Sequence, residues 1–574
     1  MGRRYNSGLW LLSEILSAAL ALPAAADDRT IDGTLNNLQI GNEDFGVAGT
    51  PLIRVAPHRY SDGGDTLARS TGPNPRIISN TIFDQPGGTS ILDDHGLTAM
   101  VWQWGQFIDH DIDLTLTDSS DPANIPIIPP DLFDPGSTGT QSIAFDRSVF
   151  ETGTGTGILN PRQQSNDITH WLDGSNVYGS NTSRAAFLRQ GVDGLLKTSS
   201  GNLLPFNDGT LANAGGMGTN LFVAGDIRAN EQVGLTTMHT LFMREHNYWA
   251  DQILNEVPGL PAGAAPRDDF IFQAARKIVG AELQVITYEE FLPTLFGSLS
   301  VDPYTGYDDS VDPSIHNEFS TAAYRLGHSM IGNELKRFDA DGTVAAEGHL
   351  PLANAFFNPA EVQDPGDIEK ITLGLIFDLQ HKVDAKIVDG LRNFLFGGPP
   401  PGLDLTTLNM QRGRDHGLPG FNDVRMAYGL LPINTFFDLT GDALLASDLE
   451  SLYGPTLTDL DPWVGMLAEK LTAGSSLPET IHVIIKAQFE ALRDGDRFWY
   501  EHDLQTNTDF LNLVTVLNLD LDQASLSDVI VRNTNITSLQ ANVFVVPAPL
   551  ALRLGLTLFI LVVMHRTLLA RRIR

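Results

Sequence analysis

The segment WGQFIDHDIDLT, Trp104 to Thr115, sets one histidine, His110, between two aspartates, Asp109 and Asp111. An imidazole is well suited to moving protons near neutral pH, but two adjacent carboxylates raise its pKa and spoil it as a base. A histidine of that kind belongs in a salt bridge on the surface. Trp104, Phe107, Ile108 and Leu114 argue instead for a buried segment, where unpaired aspartates are expensive. The chemistry therefore turns on what removes the charge of Asp109 and Asp111. Taken alone, His110 reads as a satisfied core histidine as readily as a catalyst.

Other segments carry reactive side chains. DITHWLDGSNVYGS offers side-chain oxygens at Thr169, Asp173 and Ser175, which suit either a hard cation such as calcium or a plain turn. The polar AGDIRANEQ, residues 224–232, suits a solvated helix start. TMHTLFMREHNYW holds His239 and His246 seven residues apart, the wrong spacing for an i, i+4 zinc pair, and reads as a packed helix. YRLGHSMI puts His328 on an apolar helix. LNMQRGRDHGLPGFN sets Arg412, Arg414, Asp415 and His416 before Gly417, which reads as a helix end with a buried polar network.

The elements that must position these residues read as mainly α. Apolar residues recur at helical spacing in Leu97–Leu116, Leu235–Glu256, Phe270–Phe296, Ile315–Ile331, Ile368–Phe396 and Ile481–Asp503. Two-residue alternation is scarce. SSDPANIPIIPPDLFDPGSTGT and ETGTGTGILNPRQQSN read as long Pro/Gly/Thr-rich loops, the first a surface excursion or a channel lip. The chain has 574 residues, 42% of them hydrophobic and 19% charged, enough for a substantial core. No repeat or flexible linker divides it, so residues 27–543 read as a single large helical domain with long loops and little β. A net charge of -33 excludes nucleic acid as a partner. The absence of cysteine excludes disulfides, zinc–thiolate sites, iron–sulfur clusters and thiol catalysis.

The two ends read as addresses. Residues 1–26 carry Arg3 and Arg4, an apolar stretch through Leu22 and an Ala-rich site before Asp27, the layout of a signal peptide for export. Residues 544–574 carry an apolar run and a basic end. The uninterrupted run Leu554–Met564 is short for a bilayer and Arg553 interrupts the longer version, so the segment reads either as a sorting signal or as a membrane tail.

Together the motifs resemble the animal-type haem peroxidases of the peroxidase–cyclooxygenase superfamily, in a secreted, bacterial-looking and cysteine-free form. WGQFIDHD, TxWLDGSNVYGS, GDIRANE, MHTLFMREHN, YRLGH, LNMQRGRDHGLPGFN and LRDGDRFWYE stand in the family's order over roughly residues 77–501. The resemblance implies haem b and calcium as cofactors. It makes His110 the distal histidine, with Gln106 one turn before it and Arg228 as the distal arginine. Asp109 and Glu231 become carboxylates that form esters with the haem, and Asp111 a calcium ligand. Both charges beside His110 are then neutralised. The remaining calcium ligands would be Thr169, the Trp171 carbonyl, Asp173 and Ser175. His328 matches the proximal ligand of the haem iron and Asn409 the acceptor of its ring N–H. Arg325 and Arg412 match residues near the haem and its propionates.

The activity implied is reduction of hydrogen peroxide through an oxoferryl haem, with halide, thiocyanate or a small aromatic donor oxidised. Partners are then peroxide and these donors, with membrane or cell-surface attachment through the C-terminal segment. Two departures matter. The strongest halide oxidisers carry a methionine, bonded to the haem, after the ester glutamate; here that residue is Gln232. Fatty-acid dioxygenases of the superfamily place a radical tyrosine three residues before the proximal histidine, where this chain has Arg325. A haem-dependent fatty-acid dioxygenase is therefore the disfavoured enzymatic alternative. A weakly catalytic haem and calcium protein for surface adhesion or matrix cross-linking predicts damaged distal residues, yet His110, Gln106 and Arg228 are all present.

Overall fold

The computed structural model describes residues 28–85, 89–364, 366–396 and 402–546. Six helices frame the site: α1 (Met100–Ile112), α2 (Val233–Glu256), α3 (Ala264–Val285), α4 (Asp367–Phe377), α5 (Leu405–Asp415) and α6 (Glu479–Asp494). Helix α1 is buried nearly all round, as its apolar composition requires, and packs on α2 through Trp104, Phe107 and Phe242. Gln232 starts α2: its side-chain oxygen accepts from Gly234 N at 2.6 Å, satisfying one of the unpaired amides of the first turn.

Four of the expected helices are broken. Phe270–Phe296 runs through α3 but widens at Ile286–Phe291 before resuming at Leu292–Phe296, where Pro293 supplies no N–H. Ile315–Ile331 divides into Asn317–Thr321, Ala323–Leu326 and Gly327–Met330, because Ala322 leaves helical geometry at φ -138°, ψ -69°. Ile368–Phe396 is helical only in α4 and at Asp389–Arg392. Between them Leu379 and His381 pair with Thr98 and Leu92, so tertiary pairing takes the backbone groups that a longer helix would have used. Ile481–Asp503 likewise ends α6 at Asp494 and resumes at Tyr500–Thr506.

Strand structure among the described residues is three small antiparallel pairs: Thr117–Pro122 with Asp146–Ser148, Ile125–Pro126 with Ser142–Ile143, and Glu334–Leu335 with Leu350–Pro351. The first two fold the long Pro/Gly-rich loop over a satellite core of Ile125, Ile127, Phe133, Ile143 and Phe145. Thr117, Ala144, Phe145 and Asp146 then border the central cavity, so the loop forms a lip. The main core takes in α1, α2, α3 and α6 and extends to Val543 and Phe544, both fully buried. The expected boundary at residue 543 therefore falls inside the packed region. The expected signal segment, 1–26, and all of the C-terminal segment beyond residue 546 lie outside the described residues. Among the described residues no helix is long and apolar enough to cross a membrane.

Candidate active site

Successive residues of α1 point about 100° apart, so neighbours in sequence serve different sides of the helix. Gln106 and His110 share one face with Asp109 near it, and all three border a cavity of about 570 Å³. Arg228, Glu231, Arg325, His328, Asn409 and Arg412 border the same cavity. Asp111 turns away from it, toward the loop that carries Thr169, Trp171, Asp173 and Ser175.

His110 is almost fully buried, and its Nδ1 has no hydrogen-bond partner among the described residues. That nitrogen lies 3.6 Å from Asp226 Oδ1, and Nε2 lies 3.8 Å from Glu231 Oε2. Burial, and then the Arg228 cation, hold the imidazole well below its ordinary pKa. Asp226 anchors Arg228: Nε donates to Oδ1 and Nη2 to Oδ2, both at 2.9 Å, a two-pronged geometry that fixes the guanidinium plane. Arg228 Nη2 also donates to the Asp113 carbonyl at 2.8 Å. Burial works to raise the Asp226 carboxyl, but Arg228 and His110 outweigh it and keep it ionised.

The carboxyls facing the cavity are held differently. Burial, reinforced by Asp113, pushes Asp109 up to about 7 despite Arg228 at 3.7 Å. Burial also raises Glu231, whose Oε2 accepts from Gln106 Nε2 at 3.1 Å. Gln106 is in turn fixed by Gln232, whose Nε2 donates to Gln106 Oε1 at 3.0 Å and to Gln103 Oε1 at 2.6 Å.

His328 sits on the short helix Gly327–Met330, and burial with Arg325 pushes it down to about 3. Its Nδ1 lies 2.7 Å from Asn409 Nδ2, while Asn409 Oδ1 accepts from Arg325 Nη1 at 2.9 Å. The sequence expectation has Asn409 accepting from the ring. Here Arg325, which can only donate, takes the amide oxygen, and the amide nitrogen is left facing the imidazole. Arg325 also donates to the Ser320 carbonyl and makes no ion pair among the described residues; burial lowers its pKa. Arg412 pairs with Asp415 at 3.0 Å and donates to Ser148 Oγ at 2.6 Å, and burial pushes it down to about 10. The polar network expected at the end of α5 is present. His416 bridges Ser148 Oγ and Asn317 Oδ1 at 2.7 Å each, and Gly417 turns the chain at φ +67°.

On the other side of α1, Asp111 is fully buried. Its Oδ2 accepts from Asp173 N and Gly174 N at 3.1 Å, and its Oδ1 from Ser175 Oγ at 3.0 Å and Asn176 N at 3.1 Å. Thr169 Oγ1 donates to Asp173 Oδ1 at 3.2 Å. Gly174 takes φ +80° to start the short helix Ser175–Tyr178, and a Cβ there would lie 3.0 Å from the Tyr178 ring. Burial and Asp173 push Asp111 up to about 7; burial raises Asp173 as well. Among the described residues no three His, Asp or Glu gather closely enough to hold a metal, so any cation here would depend on hydroxyl and carbonyl oxygens too. Trp171 lies in this loop with its side chain buried.

Asp226, Asp113, Gln103 and the helix-capping part of Gln232 were not assigned from sequence. The signal for Asp226 was present: a buried arginine needs a carboxylate, and one stands two residues before Arg228.

Residues 28–544 match the family model described as animal haem peroxidase. The chain is 35% identical over 569 residues to a human peroxidasin homolog, covering 90% of this chain and 37% of that protein, so it spans a little over a third of that relative. The structure of peroxidase A from Dictyostelium discoideum superposes with a TM-score of 0.81 at 32% identity, covering 91% of this chain and all of the other. A fatty acid alpha-dioxygenase from Arabidopsis thaliana superposes with a TM-score of 0.73 over 91% of this chain and 84% of its own. At 21% identity that likeness speaks only for a shared fold. With the family model matched across the helices and loops that build the cavity, the chain belongs to the animal haem peroxidases.

Proposed function

We propose that the chain is a haem peroxidase that reduces hydrogen peroxide and oxidises small donors at the cavity between His110 and His328. The observation that carries this is a neutral, buried imidazole beside an arginine locked by its own carboxylate, with a second, half-buried imidazole bordering the same cavity.

The lining suits haem b. The cavity volume, about 570 Å³, is in the range that takes a large planar ligand. With Asn409 Nδ2 facing Nδ1 the neutral ring carries its proton on Nε2, so His328 would offer Nε2 to iron once the Asn409 amide turns its oxygen to accept from Nδ1–H. Arg325 is a half-buried cation without an ion pair among the described residues, and Arg412 stands near it; both suit the propionates. Asp109 and Glu231 border the cavity as carboxyls whose pKa burial raises, and they are the positions proposed for ester links. When bound, the haem supplies the redox-active iron that reacts with peroxide and then takes electrons from the donor.

The protein's part is proton transfer and charge placement. His110, neutral at physiological pH, takes a proton from peroxide and returns it to the departing oxygen as water forms. Arg228, held in place by Asp226, meets the negative charge that develops as the O–O bond breaks. Gln106, held between Gln232 and Glu231, positions water or a small anion above His110's turn of helix. For calcium, Asp111 and Asp173 form a buried pair of carboxyls whose mutual repulsion a divalent cation would relieve, with Thr169, the Trp171 carbonyl and Ser175 completing an oxygen set. The donors proposed are iodide, thiocyanate, bromide and small phenols. The same proposal includes export through residues 1–26 and surface attachment through residues 544–574, as a sorting signal or a membrane tail.

The test is the Soret band of haem-loaded protein after peroxide is added. It should move promptly in the parent protein, and His110→Ala should slow the change about a hundredfold. An unchanged rate in that variant would overturn the assignment.

A further inference from the structure

The motif LRDGDRFWYE, residues 492–501, carries an indole that the reaction at the cavity does not use. Tyr324 borders the cavity, is buried, and its hydroxyl has no partner among the described residues. From it aromatic rings touch one another in sequence: Tyr324 to Phe489 at 5.8 Å between centroids, Phe489 to Tyr288 at 5.9 Å, and Tyr288 to Trp499 at 4.8 Å. Trp499 in turn lies 5.9 Å from Tyr304, which is partly exposed. We propose that Trp499 is a second oxidation site, drawing single electrons from phenols or aromatic amines too bulky for the cavity and passing them inward through Tyr288 and Tyr324.

The surroundings decide where an electron vacancy rests. Trp499 Nε1 donates to Glu501 Oε1 at 3.3 Å, so a carboxylate stands ready for the indole proton. Tyr288 donates its hydroxyl to the Phe489 carbonyl, which cannot keep a proton, so this phenol relays rather than holds. The Tyr304 hydroxyl has no hydrogen-bond partner among the described residues, so no base stands ready for the proton this phenol would lose on oxidation. The vacancy therefore settles on Trp499. Glu501, Asp494 and Asp496 surround Tyr304, and Glu501, Asp522 and Glu289 surround Tyr500, so the local field favours neutral or cationic donors.

The step balances. Trp499 loses one electron to the haem that the cavity would hold, oxidised by hydrogen peroxide, and hands its Nε1 proton to Glu501. A phenol at the surface then returns one electron by way of the partly exposed Tyr304 to Trp499, which is itself buried, Glu501 returns the proton, and the phenol releases its own proton to solvent as a phenoxyl radical. Two such donors and the two protons they release reduce one hydrogen peroxide to two waters.

The inference rests on the haem peroxidase reading, and the test separates the two. Haem-loaded protein is treated with peroxide and a nitroso spin trap without other donor, and digested peptides are mapped by mass. The trap should be found on Trp499, with about tenfold less in Tyr324→Phe. In parallel, Trp499→Phe should keep the parent rate with iodide while losing about tenfold with a cationic aromatic amine tethered to dextran. Iodide turnover with no adduct at Trp499, or an unchanged rate with the tethered amine in Trp499→Phe, would overturn the inference alone. Absence of iodide turnover in the parent would overturn both.

Discussion

Among single residues, the reaction proposed for the cavity depends on Asp226 holding Arg228 while His110 stays uncharged. Because burial and Arg228 depress the His110 pKa, the base is competent at any pH above that lowered value. The rate of reaction with peroxide should stay flat as pH falls from about 8 through the ordinary imidazole range near 6.5, and decline only below it. Stopped-flow rates across that range check this, and a midpoint at 6.5 would contradict the burial argument. Gln232 sets the second expectation. It offers a neutral amide already spent on Gln103, Gln106 and Gly234, so it cannot form the methionine link of the strongest halide oxidisers. A halide series at fixed peroxide, scored by trapping each hypohalous acid with a scavenging amine, should show iodide, thiocyanate and bromide oxidised with little chlorination. His110, Arg228 and His328 were legible because their motifs are long and contain rare residues at fixed places. Asp226 and the glutamine cluster were not, because their roles come from contacts made across the fold: Gln103 and Gln232 are 129 positions apart.

Between elements, the link of interest joins α1 to the loop 169–175 through Asp111. If calcium fills the oxygen set there, Asp173→Ala should lower the melting temperature on the order of 5 °C and disturb the haem spectrum together. Elemental analysis and thermal melts with and without chelator test it. The pH dependence has a definite sign. Asp111 is pushed up to about 7 from an unfolded value near 3.8, so in chelated protein the folded state binds the extra proton between those values. This group then adds stability as pH falls from about 7 toward 4, whereas calcium binding, which needs the carboxylate, weakens over the same range. Asp111→Asn should abolish the difference. The helices themselves were partly legible. Periodicity located α1, α2 and α3, but ran too far at Phe377, where pairing with residues 92–98 overrode it.

For the whole molecule, a net charge of -33 surrounds a site lined by Arg228, Arg325 and Arg412. The distant field repels anionic donors although the cavity welcomes them. Raising ionic strength from about 0.01 to 0.15 M shortens the screening length from about 30 to 8 Å, so kcat/KM for iodide should rise about two- to threefold. A cationic donor should respond in the opposite direction, and steady-state rates at matched pH decide the matter. Composition made the charge legible; where the arginines stand relative to it was not, because Arg228, Arg325 and Arg412 come from three separate segments.

The packing of Val543 and Phe544 has a consequence for how the protein is made. Phe544 lies against Trp104 and Phe291, Thr98 donates to the carbonyls of Val543 and Phe544, and Val545 bridges to Leu97. The surroundings of α1 are thus completed by residues synthesised more than 430 positions after it (the Thr98–Val543 contact alone spans 445). A nascent chain cannot complete the packing around α1 until residues 543–545 have emerged, and the loop-closure cost of that contact falls late in folding. Haem capture at the proposed site would therefore wait until residues 543–545 have been made and have packed against Leu97, Thr98 and Trp104.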